Sequence, residues 1–257
     1  MLLTMAYVLD QAGDSNERAR LVLLQTHYDA KTIPKLEQIG VSTGWQCIDV
    51  GAGAGSIAQW LAGRVSPSGS VLAVDLDLTL LEPLASATLR VKRHDIRTDD
   101  LPGDADLVHA RLVLEHLSDP NAALLRMLRA LRPGGWILVT DTDFRTVRLS
   151  EPDDAFDRVS SAFIENAGWN ICLGPQLAAM LERAGLTDVG AECWQTYGRC
   201  DTASRLIAMT YRRLRDRLVA CGASREDVDR IASRIASGAV GTFSPASWIA
   251  WGRVAAR

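Results

Sequence analysis

Short apolar runs alternate with helical periodicities between about residues 45 and 142. Five runs have the length of β-strands, and they read WQCIDV, SVLAVDL, TLRVKRH, ADLVHA and WILVTD. The second and fifth are nearly all apolar, as expected of strands buried on both faces. In TLRVKRH apolar and basic residues alternate, a pattern typical of an edge strand. The alternation of strands and helices predicts a parallel sheet covered by helices.

Two helices within this region are indicated by their apolar faces. Ile57, Trp60 and Leu61 share one face of a helix that follows the first strand. A second helix has a capping residue and a proline at its start, in the sequence Ser118-Asp-Pro120. Its predicted apolar face consists of Leu124, Leu125, Leu128 and Leu131, and Pro133-Gly-Gly135 is predicted to end it.

The pattern changes after residue 143. We predict a mainly helical segment to about residue 185, a strand near 188–197, helices around 203–237 and a last strand near 247–254. No internal repeat or long linker separates these parts, so we expect a single domain over residues 1–257.

Composition narrows the classes of partner. The 257 residues are 47% hydrophobic and 23% charged, and the net charge of -3 gives no overall attraction to nucleic acid or to an anionic membrane. Five scattered cysteines, without metal-binding or paired spacing, predict reduced thiols and no metal site. The apolar opening MLLTMAYVLD lacks the basic flank of a signal peptide, and no apolar run is long enough to span a membrane. We therefore expect a cytoplasmic protein without nucleic-acid or membrane partners.

A glycine loop follows the first strand, in the sequence CIDVGAGAGS. Its glycines Gly51, Gly53 and Gly55 allow backbone N–H groups to approach a ligand closely. The dinucleotide fingerprint would need its third glycine at position 56, where Ser56 stands, and a triphosphate loop would need a lysine that is absent. Asp49 would repel a phosphate and attract an ammonium or sulfonium group. The loop therefore favours a positively charged ligand.

Two more carboxylates end strands of the same sheet. Asp75 closes the second run about 20 residues beyond the loop, where an acidic side chain accepts both hydroxyls of a ribose. Asp95 follows the third run and can accept a hydrogen bond from an exocyclic amine such as that of adenine. Together they predict a nucleoside site.

These residues resemble the class I S-adenosylmethionine-dependent methyltransferases of the small-molecule type. The resemblance covers about residues 45–142 and is carried by DVGAGAG, VLAVDLD, HDI, DLVHARLVLEHLSDP and LRPGGWILVTD. It implies an α/β, Rossmann-like fold: a mostly parallel sheet of seven strands with the last strand antiparallel. The N-terminal lid helices would occupy residues 1–44, the cofactor-binding core 45–142, and the remaining strands with a helical substrate cap inserted after strand 5 would occupy 143–257.

The resemblance also implies a cofactor and its contacts. The cofactor would be S-adenosyl-L-methionine, with S-adenosyl-L-homocysteine as product. Asp49 would orient the amino group, Asp75 would bind the ribose, and Leu76 would lie against the adenine. The full set of expected cofactor-binding residues is Asp49, Gly51, Ala52, Gly53, Gly55, Asp75, Leu76, Asp95, Ile96 and Arg111.

Catalytic and substrate residues are less defined, because a sulfonium already supplies an electrophile and a neutral leaving group. Arg111 and His116 follow the fourth strand, at the carboxyl end of the sheet where ligands of such folds lie. Arg111 is expected near the cofactor and His116 is the candidate general base. Candidate substrate-binding residues are His27, Tyr28, Glu115, His116, Trp169 and Asn170, each with the alternative of packing, capping, ion pairing or surface exposure.

The sequence thus predicts transfer of a methyl group to oxygen, nitrogen or carbon of a small organic molecule, a secondary or biosynthetic metabolite, by a monomer or homodimer. Three alternatives stay open: a nicotinamide-dependent dehydrogenase, a nucleic-acid methylase and a non-catalytic nucleoside-binding protein. The basic run YRRLRDR is interleaved with acidic residues and indicates a solvated helix face rather than a nucleic-acid site.

Overall fold

The computed structural model describes residues 15–166 and 169–256. The opening MLLTMAYVLD and the start of the predicted lid segment lie outside these residues. The chain divides into two compact units. We call residues 28–142, 173–193 and 247–256 the sheet unit, and residues 15–27, 143–166, 169–172 and 194–246 the helical unit.

The helices and strands follow one another along the chain in this order: α1 (Ser15–Ile39), β1 (Gln46–Val50), α2 (Ser56–Val65), β2 (Ser70–Asp75), β3 (Leu89–Arg93), β4 (Ala105–Arg111), α3 (Pro120–Arg129), β5 (Leu131–Asp143), β6 (Arg148–Leu149), α4 (Asp154–Asn166), α5 (Leu177–Arg183), β7 (Thr187–Trp194), β8 (Tyr197–Gly198), α6 (Thr202–Arg213), α7 (Arg215–Ala220), α8 (Arg225–Ala236), β9 (Thr242–Phe243) and β10 (Ala246–Arg253).

The seven-stranded sheet has the order β3-β2-β1-β4-β5-β10-β7. All five apolar runs of the sequence are strands, and the strand with alternating basic residues, β3, lies at an edge as predicted. Strand β1 pairs in parallel with β2 on one side and with β4 on the other. The strand order reverses between β1 and β4, and in open α/β sheets ligands bind outside the carboxyl ends of the strands at such a point.

The last strand of the chain, β10, runs antiparallel between β5 and β7. The N–H of Gly134 donates to the carbonyl of Val254, so the end of β10 meets the start of β5. Beside β7, Thr187 Oγ1 donates to the carbonyl of Arg253, while Gly190 packs on Trp251. Residue numbers rise along β7 as they fall along β10, which confirms the predicted antiparallel strand.

The helix α3 differs in detail from the sequence prediction. It begins as predicted, with the Asp119 side chain accepting a hydrogen bond from the Ala122 N–H and with Pro120 in the first turn. It ends at Arg129, before Pro133, because β5 already begins at Leu131. The assignment of Leu125 to its apolar face was wrong, since this side chain is 49% exposed. The buried residues of α3 are Ala123, Leu124 and Met127.

The second half of α1 packs against the sheet. Leu36 is fully buried. Lys35 Nζ lies 3.7 Å from the ring centroid of Trp251 and 2.5 Å from Glu192 Oε1. A cation held over an indole ring and beside a carboxylate is stabilised by both. These contacts make residues 28–39 part of the sheet unit.

The helical unit has its own hydrophobic core. It contains the helices α4, α6, α7 and α8 and a small sheet of order β6-β9-β8. Phe163 of α4 lies at the centre of this core, with ring centroids 5.4 Å from Phe144, 5.5 Å from Trp169 and 6.2 Å from Tyr211. Such tilted and edge-to-face contacts are favourable for aromatic rings.

Candidate functional site

The glycine loop between β1 and α2 has a backbone that requires its glycines. Gly51, Gly53 and Gly55 have φ values of 65°, 58° and 81°, in the left-handed region that L side chains avoid. A Cβ atom at Gly51 would overlap Val113, and one at Gly55 would overlap Leu84. Glycine adopts this backbone without strain, so the sequence of the loop favours its observed shape.

Asp75 holds this loop from the end of β2. Its Oδ2 accepts a hydrogen bond of 2.8 Å from the N–H of Gly53, and its Oδ1 accepts one of 3.2 Å from the N–H of Asp77. Burial raises the pKa of the Asp75 carboxyl, and these backbone hydrogen bonds oppose the rise. The backbone N–H groups do not use all the acceptor sites of the carboxylate, so the group can still accept a hydrogen bond from a ligand hydroxyl.

Asp49, at the end of β1, has a histidine as its partner. The register of β1 and β4 places Asp49 beside His109, and Oδ1 of the carboxylate lies 2.7 Å from Nδ1 of the ring. Asp49 is 2% exposed and His109 is 1% exposed. The strand that leads into the glycine loop, β1, thus contributes Asp49 to a buried carboxylate–imidazole pair with His109 of β4.

Arg111, at the end of β4, is fixed by α1 and α2. Its Nη1 donates to Asp29 Oδ1 at 2.7 Å and lies 3.5 Å from Thr32 Oγ1. Its Nη2 lies 3.4 Å from Ser56 Oγ, which itself donates to Asp29 at 3.0 Å. The guanidinium carbon lies 5.8 Å from the ring centroid of Tyr28. Arg111 therefore ties the first residue of α2, directly after the glycine loop, to α1.

A buried acidic pair connects the turn after β4 with the end of β5. Glu115 Oε2 accepts hydrogen bonds from the N–H (2.9 Å) and the hydroxyl (2.7 Å) of Thr142. In return, Asp141 accepts from the N–H groups of Val113 and Glu115. Burial raises the pKa of Glu115 to about 7, against the effect of the Thr142 hydrogen bonds. Burial and then the charge of Glu115 raise the pKa of Asp141.

Tyr28 and His116 lie near this acidic pair. The Tyr28 hydroxyl lies 3.3 Å from Ser247 Oγ, and burial raises its pKa, with a smaller contribution from the charge of Glu115. His116 Nε2 lies 3.6 Å from Glu115 Oε1. Glu115, a predicted substrate contact or ion-pairing residue, has its carboxylate hydrogen-bonded to Thr142 of β5 and 3.6 Å from this imidazole.

The residues expected near the adenine differ in burial and in the partners they contact. Asp95 forms a bidentate ion pair with Arg97, with N···O distances of 2.6–3.0 Å, and this hydrogen bonding lowers its pKa. Ile96 packs in the core of the sheet unit. Leu76 and Ala52 are half-buried. An amine donor at Asp95 would therefore have to share the carboxylate with Arg97.

Three candidate substrate residues belong to the helical unit. Trp169 packs edge-on against Phe163 in the core of that unit. Asn170 Oδ1 accepts a hydrogen bond from the Cys172 N–H, a local turn contact. His27 is half-buried on α1. Trp169 makes a packing contact, which was its alternative to substrate binding, whereas the contact of Asn170 is a turn and not the helix cap considered from the sequence.

Sequence reasoning missed several residues of the sheet unit that lie with the predicted ones. His109 gave a signal, since it is a polar residue inside the apolar run ADLVHA. Asp141 ends the run WILVTD and Thr142 directly follows it. Asp29 and Ser247 carry no comparable signal, because only the packing of α1 brings them to Arg111 and Tyr28.

Neither a metal cluster nor a membrane-spanning helix is found in residues 15–166 and 169–256. Among these residues, no three His, Cys, Asp or Glu side chains are grouped as metal ligands. Within the same ranges, every helix is too short or too polar to span a bilayer.

The matching family model is that of a methyltransferase domain, over residues 16–191. The chain belongs to this family, and the class I methyltransferase resemblance seen in the sequence is confirmed. Methyltransferase str2 of Strobilurus tenacellus is 31% identical over 142 residues, which cover 54% of this chain and 50% of that protein. The ubiquinone/menaquinone biosynthesis C-methyltransferase UbiE of Pseudomonas putida is 28% identical over 142 residues, covering 52% and 55%.

Among solved structures, phosphoethanolamine N-methyltransferase 2 of Haemonchus contortus, bound to S-adenosylhomocysteine, has a TM-score of 0.52 at 18% identity. The match covers 93% of this chain and 53% of that one, and it shows a shared fold. The chain spans about half the length of the curated relatives it matches.

Proposed function

We propose that the protein is an S-adenosylmethionine-dependent methyltransferase that acts on oxygen, nitrogen or carbon of a small organic molecule. The observation that carries the proposal is the hydrogen bond between Gly53 and Asp75, in which the glycine N–H fixes a half-buried carboxylate at the end of β2. That arrangement orients two acceptor oxygens beside a loop whose residues Gly51, Gly53 and Gly55 carry no side chain.

The donor set fits this cofactor. The acidic side chains Asp49 and Asp75 flank the loop, and CIDVGAGAGS contains no lysine or arginine that would bind a phosphate. A carboxylate beside the loop suits the ammonium group, and a second one suits the ribose hydroxyls. When bound, S-adenosylmethionine supplies a methyl group whose bond to sulfur breaks, with the electron pair going to sulfur, as the acceptor forms its new bond.

The chain's own residues then align the acceptor and take its proton where one is lost. His116 remains the candidate base, because it follows β4 at the carboxyl end of the sheet and its Nε2 lies 3.6 Å from the Glu115 carboxylate. At and above its raised pKa of about 7, Glu115 is increasingly ionised, and its carboxylate then stabilises the protonated ring beside it. His116 can therefore hold the proton of an acceptor hydroxyl, amine or acidic carbon.

The class of acceptor follows by analogy. The relatives str2 and UbiE are named as methyltransferases, UbiE as a C-methyltransferase of quinone biosynthesis. We propose a small biosynthetic or secondary metabolite for this chain. The cytoplasmic location and the monomeric or homodimeric state stay predictions.

The test is methyl transfer from S-adenosylmethionine carrying a labelled methyl group. Purified protein is incubated with separate pools of phenols, carboxylic acids, amines and enolic compounds, and in parallel with RNA and DNA. We expect label in a small-molecule pool, and a strong reduction of its rate in His116→Ala with the affinity for S-adenosylhomocysteine unchanged. Label confined to nucleic acid would replace the proposal by the nucleic-acid methylase alternative. Binding without transfer to any pool would favour the non-catalytic one.

A further inference from the structure

We propose that His109 is a positioning residue, which holds the Asp49 carboxylate in the orientation that receives the amino group of the cofactor. The inference rests on the proposed function and adds to it a residue outside the glycine loop. It concerns how a buried negative charge is kept in place next to that loop.

The sheet itself creates the pairing. Asp49 and His109 are register partners in the parallel strands β1 and β4. Their chain neighbours Ile48, Val50 and Val108 point to the opposite face, into the core packed by α3 and α5. The side chains of Asp49 and His109 therefore lie together on the other face of the sheet. Asp49 stands two residues before Gly51, the first glycine of the loop.

The surroundings of the two ring nitrogens indicate which of them carries the proton. Nδ1 of His109 lies 2.7 Å from Asp49 Oδ1, and Nε2 is buried and has no hydrogen-bond partner in the described part of the chain. A doubly protonated ring would bury an N–H group without an acceptor, which is unfavourable. The neutral ring with its proton on Nδ1 satisfies the geometry. The pair then keeps one negative charge, located on Asp49.

The second carboxylate oxygen is the one available for a ligand. His109 donates to Oδ1, and Oδ2 receives no hydrogen bond from residues 15–166 or 169–256. No lysine or arginine of these residues forms an ion pair with Asp49. A buried ion without a cationic partner destabilises a fold, and apolar residues of similar size would be tolerated better at such a position. Its place beside the glycine loop explains why the charge is there, since an ammonium group would compensate it.

Two variants separate positioning from simple packing. His109→Asn keeps an N–H donor close to the position of Nδ1, whereas His109→Leu fills similar space without a donor. Two probes separate the amino-acid part of the cofactor from the nucleoside part. S-Adenosylhomocysteine carries the amino group, and 5′-methylthioadenosine carries adenine, ribose and sulfur without it. Dissociation constants are measured calorimetrically for each variant and probe, and thermal unfolding is recorded beside them.

For His109→Leu we expect the affinity for S-adenosylhomocysteine to fall about tenfold or more, because a charge-assisted contact loses its orientation. The affinity for 5′-methylthioadenosine should stay within about twofold of the wild type, within the usual scatter for distant sites. His109→Asn should restore most of the binding of S-adenosylhomocysteine.

Three results would overturn the inference. His109→Leu could bind S-adenosylhomocysteine as the wild type does, it could lose both probes equally, or His109→Asn could behave like His109→Leu. Each would make the histidine a packing residue while the proposed function stands. If the wild-type protein binds neither probe, the proposed function fails, and the inference fails with it.

Discussion

Asp153 of the helical unit and two aspartates of the sheet unit, Asp49 and Asp75, differ in what compensates their charge. In the helical unit, Asp153 is almost fully buried and lies between the guanidinium groups of Arg230 and Arg234, so its charge is compensated within the chain. In the sheet unit, Asp49 is bound by His109 and Asp75 by backbone N–H groups, and the described residues offer neither of them an arginine or lysine.

The difference in charge compensation indicates where a ligand is expected to bind. Burying a carboxylate costs free energy, which an ion pair offsets within the fold. For Asp49 and Asp75, to which the described residues offer no arginine or lysine, a ligand that brings a cation or hydroxyl donors would explain the charge. Asp153 therefore has a structural role, and Asp49 and Asp75 have the properties of a binding site.

The largest expected effect comes from the glycine loop. Gly53→Leu should weaken the binding of S-adenosylhomocysteine by more than about 100-fold, because the new side chain would occupy the proposed cofactor site. A 100-fold loss corresponds to about 2.8 kcal/mol of binding free energy. Gly185→Leu is the matched control, because Gly185 also has a positive φ of 83° and open space around its Cβ position. Calorimetry of both variants separates backbone strain from loss of the site. Equal binding by the two would show that the loop is only a turn.

A smaller loss is expected at Asp75, the carboxylate that we propose binds the ribose. Asp75→Ala should weaken binding by about 10- to 100-fold, or about 1.5–3 kcal/mol, through loss of charge-assisted hydrogen bonds. Asp100→Ala makes the same change of charge at an exposed ion pair with Arg129 and should bind normally. A dissociation constant of Asp75→Ala equal to that of the control would remove Asp75 from the site.

The helical unit should respond in stability and not in binding. Asp153→Ala removes both arginine contacts and the acceptor of the Ala155 and Phe156 N–H groups at the start of α4. We expect a loss of about 1–3 kcal/mol in the free energy of unfolding, measured with denaturant. Asp153→Asn, which keeps the acceptor, should lose less. If folded Asp153→Ala bound S-adenosylhomocysteine tenfold more weakly than the wild type, the purely structural role of Asp153 would be contradicted.

The acidic pair predicts a pH dependence of stability. Since the pKa of Glu115 is raised from 4.5 to about 7 in the folded protein, the folded state binds more protons than the unfolded state between these values. Stability from this group is present below pH 4.5 and is lost as the pH rises towards 7. Relative to Glu115→Gln, the wild type should lose about 1 kcal/mol or more across this window. A constant difference between the two unfolding curves over pH 5–7 would contradict the buried, protonated carboxyl.

Much of the sheet unit could be predicted from the sequence, because its signals are local. A glycine needed for positive φ, a carboxylate at a strand end and an apolar run each occupy a few adjacent residues, and β1 to β5 were found in this way. The contacts of Asp29, Ser247 and Lys35 could not be predicted, since they depend on how α1 packs across strands distant in sequence.

The helical unit was less predictable for a related reason. Its helices were expected in outline, but the aromatic core around Phe163 and the ion pairs of Asp153 join segments that are far apart along the chain. Leu125 shows the limit even within one helix. Its apolar character suggested burial, whereas the orientation of α3 on the sheet leaves it 49% exposed.

Calorimetric titration of the purified protein with S-adenosylhomocysteine, with NADH as the control, tests the central claim most directly. We expect binding of S-adenosylhomocysteine with a micromolar dissociation constant and none of NADH, because two carboxylates flank a glycine loop that lacks any basic residue. Binding of NADH, or of neither ligand, would contradict the assignment of CIDVGAGAGS to a sulfonium nucleoside.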